Sequence, residues 1–222
     1  MKNMLVSALL GATLLSGVAV AEPKEWTLDQ GHAHIGWEID HMGLSRTVGR
    51  FNDFDGTFLI DEEDPSKSKI TFSIDAASID SNHVGRDNHL RHADYLNVEK
   101  HPKIDFVSTK VDMLTPTSGK LYGDLTLRGK TAPVELDFEL TRDRTFPSFL
   151  PNYDELRAVG FEVTGEIARL DHGLDYIAFV DSPTGFIIDL DAHFDLVDCS
   201  AAKDTNIPCN WGRVDGFKGP SE

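Results

Sequence analysis

Gly185-Phe186-Ile187-Ile188-Asp189-Leu190-Asp191-Ala192-His193-Phe194-Asp195-Leu196-Val197 decides the fold. Phe186, Ile188, Leu190, Ala192, Phe194 and Leu196 alternate with Asp189, Asp191, His193 and Asp195. Successive side chains of a strand point to opposite faces, so a period of two gives one apolar and one wet face. The same rhythm recurs upstream. Ile35, Trp37 and Ile39 alternate with polar residues or Gly36, and Ile70, Phe72 and Ile74 with Thr71, Ser73 and Asp75. Leu121, Gly123, Leu125 and Leu127 share a face, as do Val134, Leu136, Phe138 and Leu140, and then Val159, Phe161, Val163 and Ile167. Burial on one side only marks antiparallel sheets. Eight or nine strands follow, enough for a sheet to close into a barrel or split into a sandwich. Long strands over 103–114 and 185–197 favour the barrel, although periodicity alone does not separate the two. Alternation equally leaves open whether the apolar face is packed core or encloses one small ligand.

Turn chemistry separates the strands. Asp61-Glu62-Glu63-Asp64-Pro65-Ser66-Lys67-Ser68 is a charged loop, and Thr115-Pro116-Thr117-Ser118-Gly119 and Arg128-Gly129-Lys130-Thr131 read as hairpin turns. Two stretches break the rhythm. Residues 82–98 predict one short helix capped by Asn82 or Asp87, closed by Pro102. Residues 145–156, with Pro147 and Pro151, predict a long loop.

The ends set the compartment. Lys2, the apolar run from Met4 to Val18 and Ala19-Val20-Ala21 form a secretory signal pattern, with cleavage expected before Glu22. The apolar run falls short of the roughly 20 residues a membrane span needs. Residues 1–21 are thus a signal peptide, 22–198 one domain, and 199–222 a tail. In an oxidising compartment Cys199 and Cys209, the only cysteines, predict a disulfide clipping that tail. With 37 acidic against 21 basic residues the formal charge is -16, which argues against nucleic acid as a partner.

Catalytic frames are missing from the sequence. There is no G-x-S-x-G elbow, no C-x-x-C-H attachment and no Gly-rich phosphate loop. No catalytic residue and no cofactor is therefore expected. His83, His89 and His92 offer the alternative, a metal- or haem-binding site, because His89 and His92 are three apart on the helical stretch. No cysteine or H-E-x-x-H frame accompanies them. A ligand-free stress or interaction module is the other alternative.

Several motifs in order carry a resemblance. Trp26-Thr27-Leu28-Asp29 precedes His34-Ile35-Gly36-Trp37-Glu38-Ile39-Asp40-His41-Met42-Gly43, and Gly49-Arg50-Phe51-Asn52-Asp53-Phe54-Asp55-Gly56 follows. Ser78-Ile79-Asp80-Ser81 leads to Arg86-Asp87-Asn88-His89-Leu90-Arg91, Asp94-Tyr95-Leu96 and His101-Pro102-Lys103-Ile104-Asp105-Phe106. Gly123-Asp124-Leu125-Thr126-Leu127-Arg128-Gly129-Lys130-Thr131 and Ala168-Arg169-Leu170-Asp171-His172-Gly173 complete the set. Together they resemble the YceI-like periplasmic polyisoprenoid-binding proteins, with His34 and His172 as departures. The resemblance implies a lipocalin-like antiparallel barrel with a short helix, a periplasmic location and a homodimer. It also implies a tunnel for an extended apolar ligand: a polyisoprenoid, an isoprenoid quinone, a fatty acid or an amide. The expected wall is Ile35, Trp37, Ile39, Phe51, Phe54, Phe58, Phe72, Ile74, Leu90, Phe106, Leu125, Leu127, Phe138, Phe161, Phe186, Ile188 and Leu190, with Leu90 as a gate. Arg46, Arg91 and Arg169 are candidates for fixing a polar head.

Overall fold

The computed structural model describes residues 23–150, 153–179, 182–203 and 207–209. Ten strands form one antiparallel sheet: β1 Lys24–His41, β2 Ser45–Phe51, β3 Phe54–Ile60, β4 Lys69–Asp75, β5 Ile79–Asp80, β6 Lys103–Met113, β7 Ser118–Leu127, β8 Lys130–Thr145, β9 Arg157–Ala168 and β10 Ile187–Asp198. The order runs β10-β9-β8-β7-β6-β4-β3-β1, and β10 pairs back onto β1. That last pairing excludes a sandwich. Eight strands close the ring.

β1 makes closure possible by serving three partners. Its first residues, Lys24 to Trp26, pair with Ile60 to Phe58 of β3, while Ile35 to His41 pair with β2. Its other edge carries β10, with a bulge between Leu28 and Ala33. Further register shifts fall between Ser108 and Lys110 and between Leu140 and Arg142. Bulges bend and twist long strands, which lets an antiparallel sheet curl shut. β2 and the short β5 continue the sheet outside the ring.

The turns follow local chemistry. Arg128 and Gly129 both take positive φ, +53° and +71°, giving the tight β7–β8 hairpin the twist it needs. The helix α1 is Val84–Arg91, but neither expected cap is used: the Arg86 backbone N–H donates to His83 Nδ1 at 3.1 Å. Asn82 instead takes a positive φ, and Asp87 is buried inside the helix, accepting from the Ser81 backbone N–H at 2.8 Å. A carboxylate there anchors α1 to the end of β5, a tertiary role that local sequence does not show.

Cys199 and Cys209 form the expected disulfide, with Cα atoms 5.6 Å apart. Beside it Leu156, Ala158 and Val197 make a small second core. The leader read into residues 1–21 and the tail after Cys209 lie outside the described residues. Among the described residues no helix is long and apolar enough to cross a membrane.

Candidate ligand tunnel

The inward faces of the strands do not pack solid. They enclose two adjoining chambers of about 230 Å³ and about 270 Å³. Phe58, Ile70, Leu121, Val163 and Phe194 line both, so these five side chains form the partition, or pinch, between the two chambers. Phe58 and Phe194 face each other there with ring centroids 5.6 Å apart.

Thirteen of the wall residues read from the sequence surround the first chamber: Ile35, Trp37, Ile39, Phe51, Phe58, Phe72, Ile74, Leu90, Phe106, Leu125, Leu127, Ile188 and Leu190. Phe138 and Phe161 line the second. Two do not line either chamber. Phe54 is buried and stacks on Phe72 at 5.6 Å, so it is core behind the wall. Phe186 precedes β10, is 41% exposed, and lies outside the barrel's alternation; its ring lies 5.3 Å from the Arg169 guanidinium. The expected wall left out strand residues such as Ile70, Leu121, Val163 and Phe194, loop residues Leu96, Leu174, Tyr95 and Thr184 that reach the first chamber without periodicity, and Trp26 of the second.

Close backbone approaches explain how a barrel lined by aromatic rings stays hollow. A Cβ on Gly123 would stand 2.3 Å from the Phe106 ring, and one on Gly49 would stand 2.2 Å from the Trp37 ring. Each glycine lets a ring from the neighbouring strand lie flat on the wall. With any larger residue the ring would stand up into the lumen.

The accessible surface of the first chamber is apolar, and its polar side chains collect at one end. Arg169, Tyr95 and Thr184 line it there. Arg169 is 2% exposed; its Nε donates to the Gly185 carbonyl at 2.7 Å and its Nη1 to the Leu174 carbonyl. Among the described residues its Nη2 has no hydrogen-bond partner. Burial pulls its pKa down and pushes that of Tyr95 up. The other two arginine candidates do different work. Arg46 is exposed and pairs with Glu38 and Asp189, and Arg91 ties α1 to the carbonyls of Ala77 and Ile79 at 2.7 and 2.6 Å. At the far end of the tunnel Arg157 is fully paired, with Glu62 at 2.8 Å and Asp143 at 2.7 Å.

The histidines have local partners. His83 caps α1, His89 packs edge-on against Tyr95 and Tyr176, and His89 and His92 both lie near Asp94, at 3.4 and 3.3 Å. Among the described residues no three His, Cys, Asp or Glu side chains are placed to hold a metal ion. Of the two departures from the motif pattern, His34 stacks on His193 outside the barrel at 4.8 Å. His172 is buried in the turn after β9, its Nδ1 3.1 Å from the Lys130 carbonyl.

The sequence profile of the YceI-like domain matches residues 26–196, nearly the whole barrel. The chain belongs to the YceI-like family. It is 42% identical to a UPF0312 protein of Serratia proteamaculans over 178 residues, covering 78% of this chain and 88% of that one. A UPF0312 protein of Pectobacterium atrosepticum is 40% identical over 176 residues, 77% of this chain and 88% of that one. Among solved structures this YceI-like barrel resembles BcnA of Burkholderia cenocepacia, with a TM-score of 0.65 at 16% identity over 76% of this chain and 98% of that one. It also resembles a polyisoprenoid binding domain from Saccharophagus degradans, with a TM-score of 0.53 at 14% identity over 77% and 97% of the two chains. At such identities these neighbours speak for the fold.

Proposed function

We propose that this YceI-like protein is an exported, non-catalytic carrier of an extended apolar ligand, a polyisoprenoid or another long-chain lipid, held inside the barrel. The observation that carries the reading is the pair of largely apolar chambers set end to end inside the barrel and sharing five wall residues at the pinch. A chain threading the pinch is wrapped along its length rather than at one spot. Apolar burial contributes about 25 cal/mol per Å², so some 200 Å² of ligand surface supplies about 5 kcal/mol. Such binding needs no charge complementarity, which suits a chain with formal charge -16. The polyisoprenoid-binding neighbour supports the ligand class. The signal pattern of residues 1–21 supports action in the periplasm.

Native mass spectrometry of the mature protein, purified without detergent and then offered a long-chain isoprenoid quinone, tests the reading. Retention or uptake of one long-chain molecule per chain is expected. A bare mass that no added lipid shifts would sink the proposal. The homodimer is part of the same proposal, and the stoichiometry in those spectra reads it.

A further inference from the structure

We propose that the ligand carries an anionic oxygen head, a carboxylate or a phosphate, and that Arg169 receives it. This rests on the carrier reading and adds the chemistry and orientation of the ligand.

Arg169 is set apart by burial: it is the one buried arginine among the described residues, while Arg86 and Arg91, which also meet no carboxylate, are exposed or half-buried and bonded to Ser81, Ala77 and Ile79. Arg46, Arg50 and Arg157 each meet a carboxylate. Arg169 is 2% exposed and has no carboxylate within salt-bridge distance among the described residues, although the chain holds 37 acidic residues against 21 basic ones. Asp175, whose charge reaches it, is largely exposed and lies 4.0 Å from Arg128. A buried cation lacking a counter-ion is costly, and an orphaned N–H adds to that cost. Both deficits sit on one group at the wall of the chamber, and one anionic oxygen would answer both.

Its neighbours point the same way. Tyr95 and Thr184 line the same chamber, and both carry hydroxyls that can donate to an anion. Among the described residues no acidic side chain lines this chamber. Nη2 lies behind the chamber's apolar surface, so an arriving head must displace the side chains that cover it. Orientation follows. Arg169 lies beyond the end of β9 and Val163 of the pinch lies on it; about 20 Å of extended strand separates them. A head at Arg169 therefore sends its chain through the first chamber toward the pinch and the second.

The test compares three sixteen-carbon ligands, the carboxylate, the alkyl phosphate and the alcohol, by displacement of a fluorescent fatty probe at about pH 8, where the carboxylate is ionised. Wild-type protein is expected to bind at least one of the two anions about tenfold tighter than the alcohol, the worth of a charge-assisted hydrogen bond. Which anion wins separates a fatty acid from a lipid phosphate. Arg169→Met is expected to bring the anions down to the level of the alcohol, and Arg169→Lys to keep part of the preference. Because Arg169 also ties the Gly185 and Leu174 carbonyls, circular dichroism first reads whether Arg169→Met folds, and a loss of the β-sheet signal marks a variant that does not. In that event Tyr95→Phe with Thr184→Val leaves the ties in place and is expected to shrink the preference. Equal wild-type affinities for all three ligands overturn the anionic head and leave the carrier standing. So does a preference that survives Arg169→Met in folded protein, or the double variant where the first does not fold. Binding of none of the three, nor of the quinone, brings down the carrier reading and this inference with it.

Discussion

Asp195, on the outer face of β10, sits among groups that disfavour its charge. Burial pushes its pKa above the ordinary carboxylate value; Asp29 adds to the rise and His32 opposes it. The folded protein therefore holds this proton more tightly than the unfolded chain does. Stability from this group is greatest below about pH 3.9 and is lost as pH rises through the folded pKa. Asp195→Asn is expected to raise the urea midpoint at pH 7 and to leave it unchanged near pH 3; an equal shift at both would contradict the assignment. Gly123 makes a second case at the same scale. Gly123→Ala would push against the Phe106 ring, which lies where the new methyl must go. A loss of about 1–3 kcal/mol is expected in denaturant melts, together with weaker lipid uptake. The alternation of Leu121, Gly123, Leu125 and Leu127 is plain in the sequence, but which ring covers Gly123 depends on β6–β7 register. Hollow and solid interiors therefore look alike until the strands are paired.

The β1–β10 seam closes the ring, and its outer face carries the stacked His34 and His193. Burial lowers the pKa of His34, His193 lowers it further, Asp191 raises it and Arg50 lowers it. The unfolded chain thus takes up this proton first on acidification, and stability falls as pH drops below about 6.5. Urea melts at pH 7 and pH 5 are expected to show that fall, and His34→Gln to reduce it; an identical fall in the variant would remove His34 as its source. The existence of α1 was legible from broken periodicity and turn residues. Its cap was not, because His83 is an unusual cap and Asp87 is claimed by Ser81, a tertiary partner. Phe186 misled for a related reason: it keeps the rhythm of β10 but precedes the first paired residue, Ile187. Strand rhythm reports orientation only where a partner strand holds the backbone.

For the whole molecule, strand number and length favoured the barrel over a sandwich, because closure pairs the edges of long strands, and the β1–β10 pairing is what decides it. Of the polar end of the tunnel only Arg169 was named, because Tyr95 and Thr184 come from irregular segments. The disulfide joins residues ten apart and packs against the small core of Leu156, Ala158 and Val197, none of which lines the tunnel. Replacing both cysteines by serine is expected to cost at most about 3 kcal/mol in thermal or denaturant melts while lipid uptake is retained. Loss of uptake in folded protein would tie the clip to the tunnel.

Two tryptophans report on the two chambers, Trp37 on the first and Trp26 on the second. With Trp211 replaced by Phe, and either Trp26 or Trp37 replaced likewise, each chamber carries its own fluorophore. Titration with isoprenoid quinones of short and long tail, read as fluorescence quenching, tests the central claim most directly. A long tail is expected to quench Trp37 and Trp26 with the same saturable midpoint, and a short tail to quench Trp37 alone. Saturable quenching of neither tryptophan by any tail length would contradict a lipid threaded through the barrel.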